Sequence, residues 1–146
     1  MANIIRMAEE HRECVLDMMR VFYTSPAVFT DGSEEIYKND AEHCISDDPF
    51  VEGYVFEEDG SIVGYAMLAK SFSTEFGRRC IWIEDLYLLP QCRGKGIGSE
   101  FFRFVEEKYP DAILRLEVEE ENASAVHTYK KNGFDVLPYM EMKKIL

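Results

Sequence analysis

Apolar residues recur along the chain with two different periods, and each period predicts a type of element. The apolar stretch 3–7 predicts a short strand, and residues 9–22 carry apolar side chains at helical spacing. Residues 24–26 end that helix. A second predicted helix starts at 31–33 and ends at 47–49, where Asp-Asp-Pro breaks the pattern. The first third of the chain is therefore predicted to be a strand followed by two helices.

A β-hairpin is predicted next. Residues 51–56 and 62–69 are rich in β-branched and aromatic side chains. The turn between them, 57–60, ends in Asp-Gly, which supplies the positive φ that tight hairpin turns require. Residues 71–79 are polar and are predicted to form a loop.

A nearly continuous apolar run at 80–89 predicts a central strand that is buried on both faces, although Glu84 and Asp85 interrupt it. A glycine-rich turn at 90–98 follows this strand. Residues 99–109 then predict an amphipathic helix. The strand, the turn and the helix succeed one another without a linker.

The end of the chain alternates between strands and helices. Residues 113–118 predict a strand, and residues 122–131 predict a helix that Gly133 closes, because glycine adopts the left-handed conformation at helix ends. Two short strands are predicted at 134–136 and 139–145. No internal repeat and no linker composition interrupts this order, which predicts a single domain over residues 1–146.

Composition narrows the choice of partner. Hydrophobic residues make up 47% of the 146 residues, which excludes a disordered acidic chain because such chains lack the apolar surface that offsets ordering entropy. The net charge of −12 argues against nucleic acid and membrane surfaces and favours a cationic partner. Residues 1–73 hold 15 acids and 5 bases, whereas residues 74–146 hold 13 acids and 11 bases. An acidic surface that serves only solubility is the alternative interpretation.

The cysteines predict neither a metal site nor disulfides. They lie too far apart for a Cys-x-x-Cys pair, at Cys14, Cys44, Cys80 and Cys92. No basic start followed by an apolar run of signal-peptide length occurs, and no apolar run is long enough to span a bilayer. We therefore expect a reducing, cytoplasmic environment and no metal.

The glycine-rich turn is the clearest chemical signal. Glycines between a strand and a helix let the backbone approach a phosphate closely, and the amides at the helix start favour an anion. A P-loop would need Gly-Lys followed by Ser or Thr, and no such run occurs. The dinucleotide fingerprint would need a glycine at the position of Ser99. Both nucleotide-binding motifs are excluded.

What remains is Gln91-x-x-Gly94-x-Gly96, with a third glycine at Gly98. This pattern resembles the pyrophosphate loop of the GNAT N-acetyltransferase superfamily. Residues 122–134 contain Asn-Ala-x-Ala, a tyrosine and Gly-Phe, and they resemble the second segment that this family places beside acetyl-CoA. The alternative is that the glycines only make a tight turn.

The resemblance implies an α/β (α+β) fold. Its mixed, mostly antiparallel sheet would have six to seven strands and about four helices on both faces. The sheet would be splayed between the strands ending near Leu88 and Val118, with acetyl-CoA in the gap. Arg93 and Lys95 suit a charge-assisted contact with the pyrophosphate. The resemblance implies cofactor contacts from the following residues: Leu86, Tyr87, Leu88, Gln91, Arg93, Gly94, Lys95, Gly96, Ile97, Gly98, Ser99, Asn122 and Tyr129.

Two side chains are candidates for catalysis. The Ile-Glu-Asp-Leu-Tyr run around Glu84 is similar to diamine and polyamine acetyltransferases, where a Glu at this position acts as the base. Alternation along the strand would bury one of Glu84 and Asp85 against a helix and direct the other to the cleft. An ion pair with Arg78 or Arg79 is the alternative role for these acids.

Tyr129 is the second candidate, since the family places a tyrosine here that protonates the departing thiolate. A core or surface tyrosine is the alternative. The resemblance gives Asn122 a contact with the pantetheine arm, although the residue also suits a helix cap. His127 is interpreted as an ordinary surface or packing residue.

The acceptor is predicted from the charge of the first two helices. Acidic residues crowd between Thr30 and Pro49, at Asp31, Glu34, Glu35, Asp40, Glu42, Asp47 and Asp48. They favour a small cationic amine such as a polyamine or an aminoglycoside, unless they only form the solvated faces of helices. Other hypotheses are an acetyltransferase for protein N-termini or an amino acid, and an acetyl-CoA-binding module without turnover. Family members are often dimers, and residues 139–146 are a candidate interface.

Overall fold

The computed structural model describes residues 2–28 and 32–146, and a five-stranded sheet forms the centre of this part of the chain. The strands, in sheet order, are β1 (Asn3–Arg6), β2 (Val51–Glu58), β3 (Ser61–Ser73), β4 (Arg78–Leu88) and β5 (Ile113–Leu116). Each of the first four strands is antiparallel to its neighbours among them, whereas β5 runs parallel to β4. The predicted mixed, mostly antiparallel sheet is confirmed.

Helices cover both faces of the sheet. They are α1 (Arg12–Phe22), α2 (Glu34–Ile45), α3 (Ile97–Lys108) and α4 (Ala123–Lys131). Short 3-10 turns, Glu9–His11 and Pro90–Cys92, precede α1 and α3. Ser33 caps α2, because its Oγ accepts a hydrogen bond from the backbone N–H of Ile36 at 3.2 Å. Asp31, which belonged to the predicted start of this helix, lies outside the described residues.

Two buried clusters hold these layers together. On one face, Met19 of α1 and Tyr37 of α2 pack in a cluster with Tyr65 of β3. On the other face, Phe101 of α3 packs in a cluster with Phe56 of β2. Because both faces of the sheet are covered, β3 and β4 are apolar along most of their length, as the run at 80–89 predicts.

The predicted hairpin is confirmed, but the loop after it is shorter than expected. Asp59 and Gly60 have φ values of +52° and +79°, which is the pattern of a type I′ turn. The prediction of a loop over 71–79 is wrong, since residues 71–73 pair with residues 78–80 across the β3–β4 ladder. Polar side chains do not prevent pairing here, because the ladder uses backbone groups and these side chains are mostly exposed.

The two predicted C-terminal strands, 134–136 and 139–145, are not observed. Residues 134–146 have no regular secondary structure, so the described sheet has five strands rather than six to seven. Alternating apolar residues form a strand only when a neighbouring strand or surface covers them, and here the large apolar side chains are exposed. These exposed residues are Val136, Leu137, Tyr139, Met140, Met142, Ile145 and Leu146.

The sheet opens between β4 and β5. The two strands pair from Cys80↔Ile113 to Ile83↔Leu116, and β5 then ends while β4 continues to Leu88. One edge of residues 84–88 therefore has no partner on β5. We call this gap, between residues 84–88 and the chain that follows Leu116, the fork.

Candidate active site

The glycine-rich turn leaves backbone amides uncovered just beyond the end of β4. Gly94 and Gly96 have φ values of +74° and +90°, and a Cβ at either position would meet nothing within 4 Å. Gly96 is the N-cap of α3 and makes no side-chain cap, so the first amides of that helix have neither an intrahelical nor a capping acceptor. Open space, free N–H groups and the positive end of a helix fit a pyrophosphate.

Arg93 is fixed across the end of β4. Its Nε donates a hydrogen bond to the Leu88 carbonyl at 2.9 Å, and its guanidinium carbon lies 5.5 Å from the centre of the Tyr87 ring. Lys95 and Gln91 are exposed nearby on the same turn. The cationic side chains therefore lie on the segment that also carries the free amides, where they reinforce anion binding.

Several predicted contact residues face the protein interior with their side chains. Tyr87 and Ile97 are 5% and 3% exposed, so each has only its backbone to offer a ligand. Leu86 and Leu88 pair with β3 through Ala66 and Gly64 on one edge, and the other edge faces the fork. That free edge resembles the exposed sheet edges to which extended ligands add like an extra strand.

Glu84 lies in a β-bulge. Met67 pairs with Asp85 and Leu68 pairs with Ile83, so Glu84 has no partner on β3. A bulge redirects side chains and is common beside active sites. Glu84 is exposed, whereas Asp85 is only 3% exposed. The structure thus buries one of these two carboxylates and exposes the other, and the direction of Glu84 toward the cleft stays a prediction.

The arginines considered as alternative partners of these acids interact elsewhere. Arg78 Nε donates to the carbonyl of Phe76, and Arg79 lies over the ring of Tyr109. Among the described residues, neither arginine forms an ion pair with Glu84 or Asp85.

Carboxylates from four parts of the chain act on one another through their charges. Desolvation and the charges of Asp85 and Glu141 raise the pKa of Glu84. Desolvation, with the charges of Asp85 and Glu84, raises the pKa of Asp40 on α2 to about 6. A hydrogen bond to Glu141, followed by desolvation and the charges of Glu141 and Glu84, raises the pKa of Glu117 to about 7. We call Asp40, Glu84, Asp85, Glu117 and Glu141 the carboxylate cluster. Their mutual repulsion favours a bound cation.

Only part of this cluster was predicted from the sequence, and some of the acids predicted on α2 lie in surface ion pairs instead. Glu34 and Glu42 are paired with Arg20 and Arg12 of α1 at 2.6 and 2.7 Å. These two acids are therefore surface ion pairs, as the alternative interpretation of a solvated helix face expects. Asp40, by contrast, is half-buried and close enough to Asp85 and Glu84 for their charges to raise its pKa.

Glu117 and Glu141 were not among the predicted site residues. The pairing of β4 with β5 could have identified Glu117. Ile83 of β4 and Leu116 of β5 are the last paired residues. Glu84 directly follows Ile83, and Glu117 directly follows Leu116. Glu141 lies in the segment predicted as a strand, and nothing in its local pattern marks it.

Tyr129 packs on α4 against α3. Its ring centre lies 6.0 Å from that of Phe102 and 6.1 Å from that of Phe134. The residue is half-buried, and desolvation raises its pKa. No described residue hydrogen bonds to its hydroxyl, and the ring packs against apolar side chains.

The neighbouring residues of α4 behave as ordinary helix residues. Asn122 is the N-cap, and its side-chain oxygen accepts from the N–H of Ala125 at 3.3 Å. This confirms the capping role and leaves the amide nitrogen of Asn122 for another contact. His127 is exposed, as expected for a surface histidine.

Within residues 2–28 and 32–146, no three His, Cys, Asp or Glu side chains are arranged to hold a metal ion. No helix in the same residues is long and apolar enough to cross a membrane. The four cysteines are free thiols.

Known proteins match this chain in sequence. Residues 13–134 match the family model described as the acetyltransferase (GNAT) family. Thialysine N-epsilon-acetyltransferase from Sus scrofa is 35% identical over 135 residues, which are 90% of this chain and 76% of that protein.

Solved structures share the fold at low identity. A possible acetyltransferase from Clostridium difficile 630 has a TM-score of 0.81 at 17% identity, covering 99% of this chain and 98% of its own. The aminoglycoside acetyltransferase AAC(6')-Iy, in complex with the bisubstrate analogue CoA-S-monomethyl-acetylneamine, has a TM-score of 0.78 at 14% identity. That match covers 100% of this chain and 99% of the enzyme.

Proposed function

Because the chain belongs to the GNAT acetyltransferase family, we propose that it transfers the acetyl group of acetyl-CoA to a primary amine of a small cationic acceptor, polyamine-like or aminoglycoside-like. The carboxylate cluster is the observation that carries this proposal. Its members come from α2, from β4, from the residue after β5 and from the C-terminal segment. Desolvation, together with the charges of other members, raises the pKa of Asp40 and Glu84, and a hydrogen bond to Glu141 is the main cause of the raised pKa of Glu117. An ammonium group relieves this repulsion, and a neutral or anionic acceptor does not.

The cofactor side of the proposal rests on the glycine-rich turn. The pyrophosphate of acetyl-CoA lies on the amides of residues 94–99, with Arg93 and Lys95 beside it. The pantetheine arm extends along the free edge of residues 86–88, where backbone donors and acceptors have no partner on β5. Asn122 contacts the arm from α4. This arrangement brings the thioester to the fork, next to the carboxylate cluster.

The reaction requires three proton movements. A primary amine has a pKa near ~10.4, so most of it is protonated at neutral pH and must lose a proton before it attacks. Glu84 receives this proton through water, which its exposure and raised pKa favour. The amine nitrogen then forms a bond to the thioester carbon, and the carbon–sulfur bond breaks. Tyr129 donates a proton to the departing sulfur, so that free coenzyme A leaves as a thiol, and the second proton that the nitrogen loses on becoming an amide restores the phenol.

Thiol release from acetyl-CoA tests the proposal. We expect turnover with spermidine or kanamycin to exceed turnover with glycine or with a peptide that has a neutral N-terminal residue. Asp40→Asn and Glu117→Gln should each raise the KM of the cationic amine several-fold, since each removes one charge from the cluster. Glu35→Gln is the matched control, because Glu35 is an exposed acid on the same helix as Asp40.

Three results would contradict the proposal. Equal rates for all amines would remove the cationic preference, and a preference for peptide N-termini would assign another acceptor. Tight binding of acetyl-CoA without thiol release in the presence of any amine would indicate a binding module rather than this enzyme.

We also propose that the chain forms a homodimer through its C-terminal segment. The exposed apolar side chains Met140, Met142, Ile145 and Leu146 are clustered in the last seven residues, and such exposed groups mark protein interfaces. Sedimentation equilibrium should give twice the mass of the chain, and Met140→Lys combined with Met142→Lys should give the monomer. A monomeric wild-type protein at micromolar concentration would contradict the dimer.

A further inference from the structure

Asp85 is the buried member of the carboxylate cluster, and it takes no part in the proposed proton transfers. The hydroxyl of Tyr23 donates to its Oδ1 and the hydroxyl of Tyr65 donates to its Oδ2, each at 2.7 Å. Desolvation raises the pKa of Asp85, and both hydrogen bonds oppose that increase. An acid that is this buried requires donors, and these two tyrosines supply them.

The two tyrosines connect Asp85 to different parts of the fold. Tyr65 lies on β3 and pairs with Tyr87 of β4, so its bond to Asp85 joins two strands that the backbone ladder already joins. Tyr23 is the C-cap of α1 and lies 62 residues before Asp85 in the chain. Its bond therefore joins the end of a helix to the strand that carries Glu84.

The residues after Tyr23 are folded onto the end of α1. Thr24 Oγ1 donates to the carbonyl of Arg20 at 2.8 Å, and Ser25 Oγ donates to the carbonyl of Phe22 at 2.6 Å. The N–H of Ala27 in turn donates to Ser25 Oγ at 3.2 Å. This turn must follow the end of α1 wherever that end is held.

The end of α1 also lies near the carboxylate cluster. The hydroxyl of Tyr23 bonds to Asp85, which is a member of the cluster and follows Glu84 directly in β4. Burial raises the pKa of Tyr23, and the charges of Asp85, Asp40 and Glu84 act in the same direction. The turn that follows Tyr23 is thus next to the proposed amine site.

We propose that Tyr23 is a positioning residue for the amine acceptor, because its hydrogen bond to Asp85 fastens the end of α1 and residues 24–28 beside Glu84. The inference rests on the proposed function, since it concerns the acceptor side of the same site. Tyr23 takes no part in proton transfer. Its loss loosens the wall of the acceptor site and leaves the acetyl-CoA side unchanged.

Tyr23→Phe and Tyr65→Phe form a matched pair for the test. Each variant removes one hydroxyl and one 2.7 Å bond to the same carboxylate, but only Tyr23→Phe removes a bond that ends on α1. We expect Tyr23→Phe to raise the KM of the amine about tenfold, the scale of one hydrogen bond to a charged group. The kcat and the KM of acetyl-CoA should stay within about twofold of wild type, and Tyr65→Phe should leave all three constants within the same limits.

Hydrogen exchange provides a second readout that does not depend on turnover. Amides of residues 22–28 should exchange faster in Tyr23→Phe than in Tyr65→Phe, because only the first variant frees the end of α1. Equal exchange in the two variants would overturn the proposal, as would an equal change in amine KM. A wild-type protein that acetylates no amine would refute the proposed function instead, and the exchange comparison would still decide whether Tyr23 fastens α1.

Discussion

The two sides of the fork are built in opposite ways. On the proposed acetyl-CoA side, the binding groups are backbone amides and two cations on one continuous segment, residues 91–99, with positive φ at Gly94 and Gly96. On the proposed amine side, the binding groups are carboxylates from α2, β4, the residue after β5 and the C-terminal segment. One side is local in sequence and made of main chain, whereas the other is dispersed and made of side chains.

This difference explains why one half of the site is easier to identify than the other. A contiguous main-chain site depends on glycine positions and a helix start, which a short motif records. A dispersed side-chain site depends on how separate elements pack, and a substitution in any one of them changes the acceptor without disturbing the cofactor. Acetyl-CoA use is therefore expected to be shared across the family while the amine varies.

The largest expected effect is that of Tyr129→Phe, which acts on the step that joins the two sides. Without the hydroxyl the departing thiolate has no proton donor, so kcat should fall on the order of 1,000-fold. The KM of acetyl-CoA should stay within about twofold, because the ring still packs against Phe102. Steady-state kinetics check this, with His127→Ala on the exposed face of the same helix as control. A parallel loss of acetyl-CoA affinity would show that Tyr129 belongs to the cofactor side alone.

Glu84→Gln should reduce kcat/KM for the amine by about 100-fold at pH 7, since water is then the only acceptor for the ammonium proton. The deficit should shrink as the pH rises towards 9.5, because more of the amine is already neutral. Rates measured from pH 6.5 to 9.5 check this prediction. A deficit that is constant over that range would assign Glu84 an electrostatic role like that of Asp40.

Gly96→Ala tests the main-chain side. The alanine must adopt a φ near +90°, so we expect the KM of acetyl-CoA to rise roughly tenfold. The KM of the amine should change little. Gly60→Ala is the matched control, because Gly60 has a φ of +79° and equally open space at its Cβ, but lies in the hairpin turn. Both variants should lose similar thermal stability. If Gly60→Ala raised the KM of acetyl-CoA as much as Gly96→Ala, the conformation of the glycine-rich turn would not be what binds acetyl-CoA.

The smallest expected effect is on thermal stability, and it concerns the carboxylates of the proposed amine side. The pKa values of Asp40, about 6, and Glu117, about 7, are raised above those of the unfolded chain, so the folded state binds more protons between pH 5 and 7. Stability should therefore be greater at pH 5.5 and decline towards pH 7.5, with a change in Tm on the order of 3 °C.

Thermal melts at the two pH values check this, and Glu117→Gln should weaken the dependence while Glu35→Gln should not. Spermine should raise the Tm more at pH 7.5 than at pH 5.5, because the cluster is then ionised. Equal stabilisation at both pH values would show that the cation binds away from these groups.

The accuracy of the sequence predictions follows the range of the interactions involved. The hairpin turn at Asp59 and Gly60 and the cap at Asn122 were predictable, because turn and cap geometry depends on neighbouring residues. The loop at 71–79 and the C-terminal strands were wrong, since pairing depends on which strand lies alongside.

By itself, the sequence determined the strand–turn–helix unit that carries Gly94 and Gly96, because backbone conformation at glycine and at a helix start is set within a few residues. It also determined that two adjacent acids interrupt a buried strand. Tertiary packing was needed to show that Asp85 is the buried one, held by Tyr23 from 62 residues away, and that the charge of Glu141 acts on both Glu84 and Glu117. Burial and charge proximity arise from packing between distant segments, and local sequence patterns do not encode which segments meet.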